Sequence, residues 1–160
     1  WLHSGDIGEM DSDGYIKITD RKKELFKTSG GKYIAPAQIE EMLKQLNYIE
    51  QILIIGNERM FVTSLIVPQI EHLKELAKKL KVDYKDENEL HTNKEILKEI
   101  EKDINLVQKS LSTYEKVRRF VLLEKPFTID ENELTPTMKI KRRIVEEKYK
   151  DLIEKMYKNS

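Results

Sequence analysis

Three short stretches hold residue types whose spacing could do chemistry. The first is "HSGDIG", with Asp6 between Gly5 and Ile7. A carboxylate on such a turn can accept hydrogen bonds from both hydroxyls of a ribose. It can equally be an ordinary turn residue that bonds nearby backbone. The second is "TDRKKELFKTSGGKYIAP", Thr19 to Pro36, where Arg21, Lys22, Lys23, Lys27 and Lys32 surround a Gly30-Gly31 pair. Paired glycines permit positive φ and a close approach of backbone to a ligand. The stretch matches neither GxxxxGK[ST] nor GxGxxG. By itself it leaves a flexible connection as open as a site, and such charges are more often a solvated face than a patch. The third is "LTPTMKIKRR", in which Lys139 follows a proline-anchored turn and precedes a helix. A lysine there can carry a mobile point charge to a phosphate or carboxylate, or can be one more solvated lysine.

The elements around these stretches must position them. "GEMDSDGYIKI" reads as a hairpin about Asp13-Gly14. A helix can begin at Pro36, with Ile39, Met42, Leu43 and Leu46 at helical spacing. "EQILIIG" and "MFVTSLIVP" read as strands separated by the polar turn "NER", and "QIEHLKELAKKL" as a short amphipathic helix. Residues 81–89 read as loop. "NKEILKEIEKDINLVQKSL" is a longer helix with Ile96, Ile100, Ile104, Val107 and Leu111 on one stripe. "RRFVLL" is a strand with Arg118 and Arg119 at its wet end. "EKPFTIDENELTPTMK" is loop, and "IKRRIVEEKYKDLIEKMY" is one terminal helix carrying Ile144, Val145, Tyr149, Leu152, Ile153 and Met156. His72 and His91 are expected at the surface. The mixture predicts an α+β fold: a small domain with a short, mainly antiparallel sheet of about three strands flanked by helices and preceded by a β-hairpin.

Bulk properties narrow the class. A chain of 160 residues suggests one domain with a small appendage. It carries 29 basic and 29 acidic residues, so its formal net charge is zero. A general attraction to nucleic acid or acidic lipid is not indicated, and no RRM or KH signature occurs. No cysteine is present, which excludes disulfides, thiolate metal sites and a cysteine nucleophile. His3, His72 and His91 lie far apart, so no metal site is expected. "ILIIG", the longest aliphatic run, is too short to cross a bilayer. No signal peptide is visible, and an opening Trp1 leads us to expect a piece of a longer protein.

In this order, "WLHSGDIG", "DGYIKITDRKKELFKTSGGKYIAPAQIE" and "LTPTMKIKRR" resemble the C-terminal part of the adenylate-forming synthetases, the AMP-forming acyl-CoA ligases and their relatives. "DRKK", the glycine loop, "RRFVLL", "LTPT.K.KRR" and the insert from about Ile70 to Leu111 look most like the long-chain fatty acyl-CoA synthetase branch. The resemblance implies two steps: a fatty carboxylate attacks the α-phosphate of ATP, and CoA thiol then attacks the acyl-adenylate. It also implies two orientations of the small domain, one per step. Residues 1–22 would end the large N-terminal domain and residues 23–160 would form the lid. By the same resemblance Asp6 and Arg21 bind nucleotide, Lys23 is the hinge and Lys139 is the adenylation lysine. Lys27, Gly30 and Gly31 then face the active site when the thioester forms. Many members of the family have Gly before the adenylation lysine, and this chain has Met138.

The cofactors implied are ATP, CoA and Mg2+, with the Mg2+ ligands expected in the N-terminal domain. That domain and the small-molecule substrates are the expected partners, with no nucleic acid. The implied location is the cytoplasm, with a peripheral contact to the inner face of a membrane left open. The isolated piece is expected to be inactive. Two rivals stand beside this reading: another adenylate-forming enzyme, such as an aryl, medium-chain or carrier-protein-loading ligase, and a non-catalytic interaction module.

Overall fold

Two apolar runs fix the centre of the fold, because strands covered on both faces read as continuous hydrophobic segments. The structure, a computed structural model, describes residues 6–10, 14–21 and 25–158. In chain order, β1 (Asp6–Met10) and β2 (Ile16–Arg21) form an antiparallel pair, and so do the two-residue strands β3 (Phe26–Lys27) and β4 (Tyr33–Ile34). Helix α1 (Pro36–Leu43) starts on the proline, whose fixed φ suits a first helical turn. The apolar runs are β5 (Ile49–Ile55) and β6 (Val62–Pro68). Then come α2 (Ile70–Leu80), a 3-10 turn (Glu87–His91), α3 (Lys94–Val107), a second 3-10 turn (Gln108–Ser110), β7 (Val117–Leu122), α4 (Arg142–Lys148) and α5 (Lys150–Lys158).

The main sheet has the order β5-β6-β7. β5 and β6 are antiparallel, as their short polar connection demands, with Ile52 opposite Ile66 and Leu53 opposite Leu65. β6 and β7 run parallel, so the α+β expectation holds with a mixed rather than wholly antiparallel three-stranded sheet. The physical cause is the insert: a parallel return needs a long crossover, and α2, α3 and their 3-10 turns supply it. Alternation along β5 sends Ile52 and Ile54 to one core and Leu53 and Ile55 to the other. The first core is closed by Ile39 and Leu43 of α1, Leu73 and Ala77 of α2, and Ile96, Ile100 and Ile104 of α3. The second is closed by Phe127, Leu134, Val145, Ile153 and Met156.

Three local expectations need correcting. The terminal helix is two helices that break at Tyr149, whose ring meets Phe127 edge-on at 6.1 Å. Ile144, expected on the packed stripe, is 38% exposed. His91 is buried at the end of its 3-10 turn rather than exposed, and its Nδ1 finds no partner among the described residues. The cause is the Asp86 cap, whose side chain accepts from the Asn88 N–H at 2.8 Å and folds the predicted loop back onto the core. Among the described residues no helix is long and apolar enough to cross a membrane.

Candidate functional site

Lys139 sits at the end of a tight loop, and the loop is built by hydroxyls and one unusual backbone angle. The Lys139 N–H donates to Thr135 Oγ1 at 3.0 Å, and the Thr135 N–H donates back to the Lys139 carbonyl at 2.8 Å. The Met138 N–H donates to the Thr135 carbonyl at 2.8 Å, and Met138 itself holds φ of +63° as the chain passes on to Lys139. That region favours glycine and strains a side chain. A β-bridge between Leu134 and Ile140 and a 2.7 Å bond from the Lys141 N–H to the Glu133 carbonyl close the loop below. Glu133 itself is buried; its carboxylate accepts from the Thr128 N–H at 3.0 Å and pairs with Lys148 at 3.0 Å. That pair, with a second from Lys148 to Glu131 at 3.1 Å, holds the Lys148 ammonium above its ordinary pKa. The side chain of Lys139 is exposed.

The glycine loop turns out to be the turn of the β3–β4 hairpin, which sequence patterning missed because each strand is only two residues long. Thr28 organises it. Its N–H donates to the Lys32 carbonyl at 2.9 Å, and its buried hydroxyl accepts from the Lys32 N–H at 3.1 Å. The Gly31 N–H bonds the Thr28 carbonyl with φ of +81°, a conformation glycine adopts without strain. Lys27 is exposed and stacks its ammonium 5.7 Å from the centre of the Tyr33 ring. The hairpin is anchored to the β5–β6 turn: the Glu58 N–H donates to the Lys27 carbonyl at 2.8 Å, and the Ser29 N–H to the Arg59 carbonyl at 3.0 Å. Gly56 lets the Phe26 ring in. A Cβ there would lie 2.7 Å from that ring, too close for any real contact.

An open groove of about 700 Å³ joins these features. Lys139 and Met138 line one wall, and Leu25 and Phe26, at the root of β3, line another with Asn57 of the β5–β6 turn. Lys44, Arg142 and Arg143 add cations, and Glu40 and Glu146 add carboxylates. Burial pushes the Glu146 carboxyl above its ordinary pKa, and Arg142 and Arg59 oppose that shift only in part. The groove therefore offers a net positive, partly apolar wall, a setting suited to a phosphate or carboxylate attached to an organic body. Among the described residues no three His, Asp or Glu side chains gather as a metal site.

The predicted residues thus fall into groups. Lys139 shares the groove with the root of the glycine hairpin. Lys27, Gly30 and Gly31 lie together on that hairpin. Asp6 and Arg21 are opposed in the β1–β2 register. Lys23 lies outside the described residues. Sequence reasoning missed Thr28, Thr135, Glu40 and Arg142. A Thr at the start of each loop was the available signal for the first two. Arg142 was hidden within "KIKRR", because one arginine among many charges carries no mark of its partner.

A family model described as AMP-binding enzyme C-terminal domain matches residues 24–160. The chain is 36% identical over 158 residues to the long-chain-fatty-acid–CoA ligase FadD15 of Mycobacterium tuberculosis, across 98% of this chain and 26% of that protein. It is also 36% identical over 160 residues to the human (Homo sapiens) long-chain-fatty-acid–CoA ligase 1, across 98% of this chain and 23% of that protein. The chain spans about a quarter of the length of these relatives. Among solved structures, the adenylation domain of a Mycobacterium chelonae carboxylate reductase superposes with a TM-score of 0.75 at 25% identity, covering 96% of this chain and 22% of that one.

Proposed function

Because the chain belongs to the AMP-binding enzyme C-terminal domain family, we propose that it is the lid domain of a long-chain fatty acid–CoA ligase. The reaction has two halves. A fatty carboxylate oxygen attacks the α-phosphorus of ATP, the bond to the β-phosphate oxygen breaks, and pyrophosphate leaves. The CoA thiolate then attacks the acyl carbon, a thioester forms, and AMP leaves with the carboxyl oxygen. What supports this reading is the groove that carries Lys139 on one wall and the root of the glycine hairpin on another.

In the first half, Lys139 puts its ammonium between the acyl carboxylate and the α-phosphate oxygens, where negative charge concentrates in the transition state. Its exposed position on a stiff turn suits that task, since the charge is carried on a flexible stem from a fixed origin. In the second half the domain turns about Lys23. The Lys27–Gly31 hairpin then faces the acyl-adenylate, with glycine backbone beside the path of the pantetheine arm. Asp6 and Arg21, opposed across β1 and β2, hold the nucleotide through ribose and phosphate. ATP and CoA are thus substrates of the whole enzyme. Mg2+, which would neutralise the phosphates, takes its ligands from a larger N-terminal domain. That domain is the partner of this chain, and the enzyme works in the cytoplasm.

The test compares this chain with the full-length enzyme, each incubated with ATP, hexadecanoic acid and CoA. Thioester is expected only from the full-length enzyme. Thioester clearly above blank from residues 1–160 alone would contradict the lid reading. A second reading passes the activated acyl group to a carrier protein; the fold fits it, since the chain also superposes on the adenylation domain of a carboxylate reductase. Full-length enzyme that forms acyl-adenylate yet ignores CoA would select it.

A further inference from the structure

We propose that Glu40 and Arg142 are positioning residues: they fasten the Lys139 loop to α1 and β5, so that the lysine and the glycine hairpin turn as one rigid body. The proposal rests on the ligase reading above and adds a pair of residues with no part in the bonding changes. Its basis is a bracket spanning three elements. Glu40 Oε1, on α1, accepts from the Ile54 N–H at 2.9 Å and from Arg142 Nη2 at 2.8 Å. Arg142 Nη1 donates to the Ile54 carbonyl. Ile54 belongs to β5, an edge of the sheet. On an antiparallel edge strand, both backbone groups of every second residue point away from the neighbouring strand. Here one carboxylate and one guanidinium take up both.

The consequence for Lys139 is geometric. Arg142 opens α4 only three residues after Lys139, so its anchorage to β5 fixes the chain on one side of the lysine. The Thr135–Met138 turn fixes it on the other. On the far end of the bracket, Glu40 sits in the helix that begins two residues after the glycine hairpin. The guanidinium fork is required, because it binds a carboxylate and a carbonyl at once from two fixed nitrogens, and a lysine ammonium is a single point. The carboxylate is mostly shielded, at 16% exposure of its side chain, which keeps water from competing for the bond.

The test uses the full-length enzyme with three bracket variants. Arg142→Met and Arg142→Lys should each slow adenylation by about 10-fold or more, since small misplacements of a reacting group are costly. Thioester formation from supplied acyl-adenylate should change by less than about 3-fold, because CoA capture does not use the lysine. The milder Glu40→Gln, which keeps an acceptor for Ile54, should show a smaller loss of the same kind. Hydrogen exchange gives a readout independent of turnover: the amides of Thr135, Lys139 and Lys141 should exchange faster in Arg142→Met, and those of β6 should not. Equal losses in both half-reactions, full rescue by Arg142→Lys, or unchanged exchange in the loop would overturn the proposal. Lys139→Ala is measured in parallel. Unchanged adenylation there would overturn the ligase role of Lys139 instead, and the exchange data would still decide the bracket.

Discussion

At position 138 a methionine holds φ of +63°, and the residue is 63% exposed. The left-handed conformation costs an L-residue roughly 1–2 kcal/mol, and the exposed side chain recovers little of that through packing. Met138→Gly should therefore stabilise the chain by about 0.5–1 kcal/mol, after the larger unfolded-state entropy of glycine is subtracted. A thermal melt should rise by about 1–4 °C, and a fall would show that the methionine side chain makes a compensating contact. The sequence already marked this position, because the motif it resembles has glycine there. What the sequence could not supply was the reason, which is the turn that sets the direction of Lys139. Thr135 and Thr28 stood at the starts of their loops, but a hydroxyl that closes a loop looks like any other until its backbone partner is known.

The elements were legible wherever one face meets one core. Ile96, Ile100 and Ile104 of α3 are all buried, as their helical spacing predicts. The strand pair β5–β6 followed from two apolar runs and a short polar turn. Legibility failed where distant residues intervene. At the helix break Tyr149 meets Phe127 and Lys148 pairs with Glu133 and Glu131, contacts that periodicity does not record. The parallel β6–β7 pairing depends on which way a long insert returns. Glu146, on α4, gives this scale a test. Burial raises its folded-state carboxyl pKa above the ordinary range, so ionising it at neutral pH works against folding. Its stabilising contribution is present below the unfolded pKa and is lost as pH rises through the raised folded value. Glu146→Gln should raise the melting temperature at neutral pH. The gain should shrink as pH falls through the carboxylate range, and a gain that ignores pH would assign the effect to packing instead.

For the whole molecule, the ordered motifs carried more than any single residue did. Of the five basic residues from Arg21 to Lys32, Lys22 and Lys23 lie outside the described residues. Lys27 lies on a hairpin, Arg21 lies opposite Asp6 in a strand pair, and the Lys32 ammonium lies 5.5 Å from the centre of the Tyr114 ring. The proximity of Lys139 to the root of the glycine hairpin was not readable. Over 100 residues separate them in sequence, and they share one groove in which Arg142 of α4 pairs with Glu40 of α1. A domain that uses two faces needs a pivot, and on this reading the pivot is Lys23. Fixing φ there with Lys23→Pro should obstruct the turn. It should slow thioester formation and leave adenylation near the wild-type rate.

The most direct test of the two-face account is the pair of half-reaction rates in full-length enzyme carrying Lys139→Ala. Adenylation, followed as pyrophosphate exchange into ATP, should fall by about 10²-fold or more, as losing one preorganised transition-state group commonly does. Thioester formation from supplied acyl-adenylate and CoA should stay within a few-fold of the unsubstituted enzyme. Equal losses in both halves would contradict the division of labour between Lys139 and the glycine hairpin.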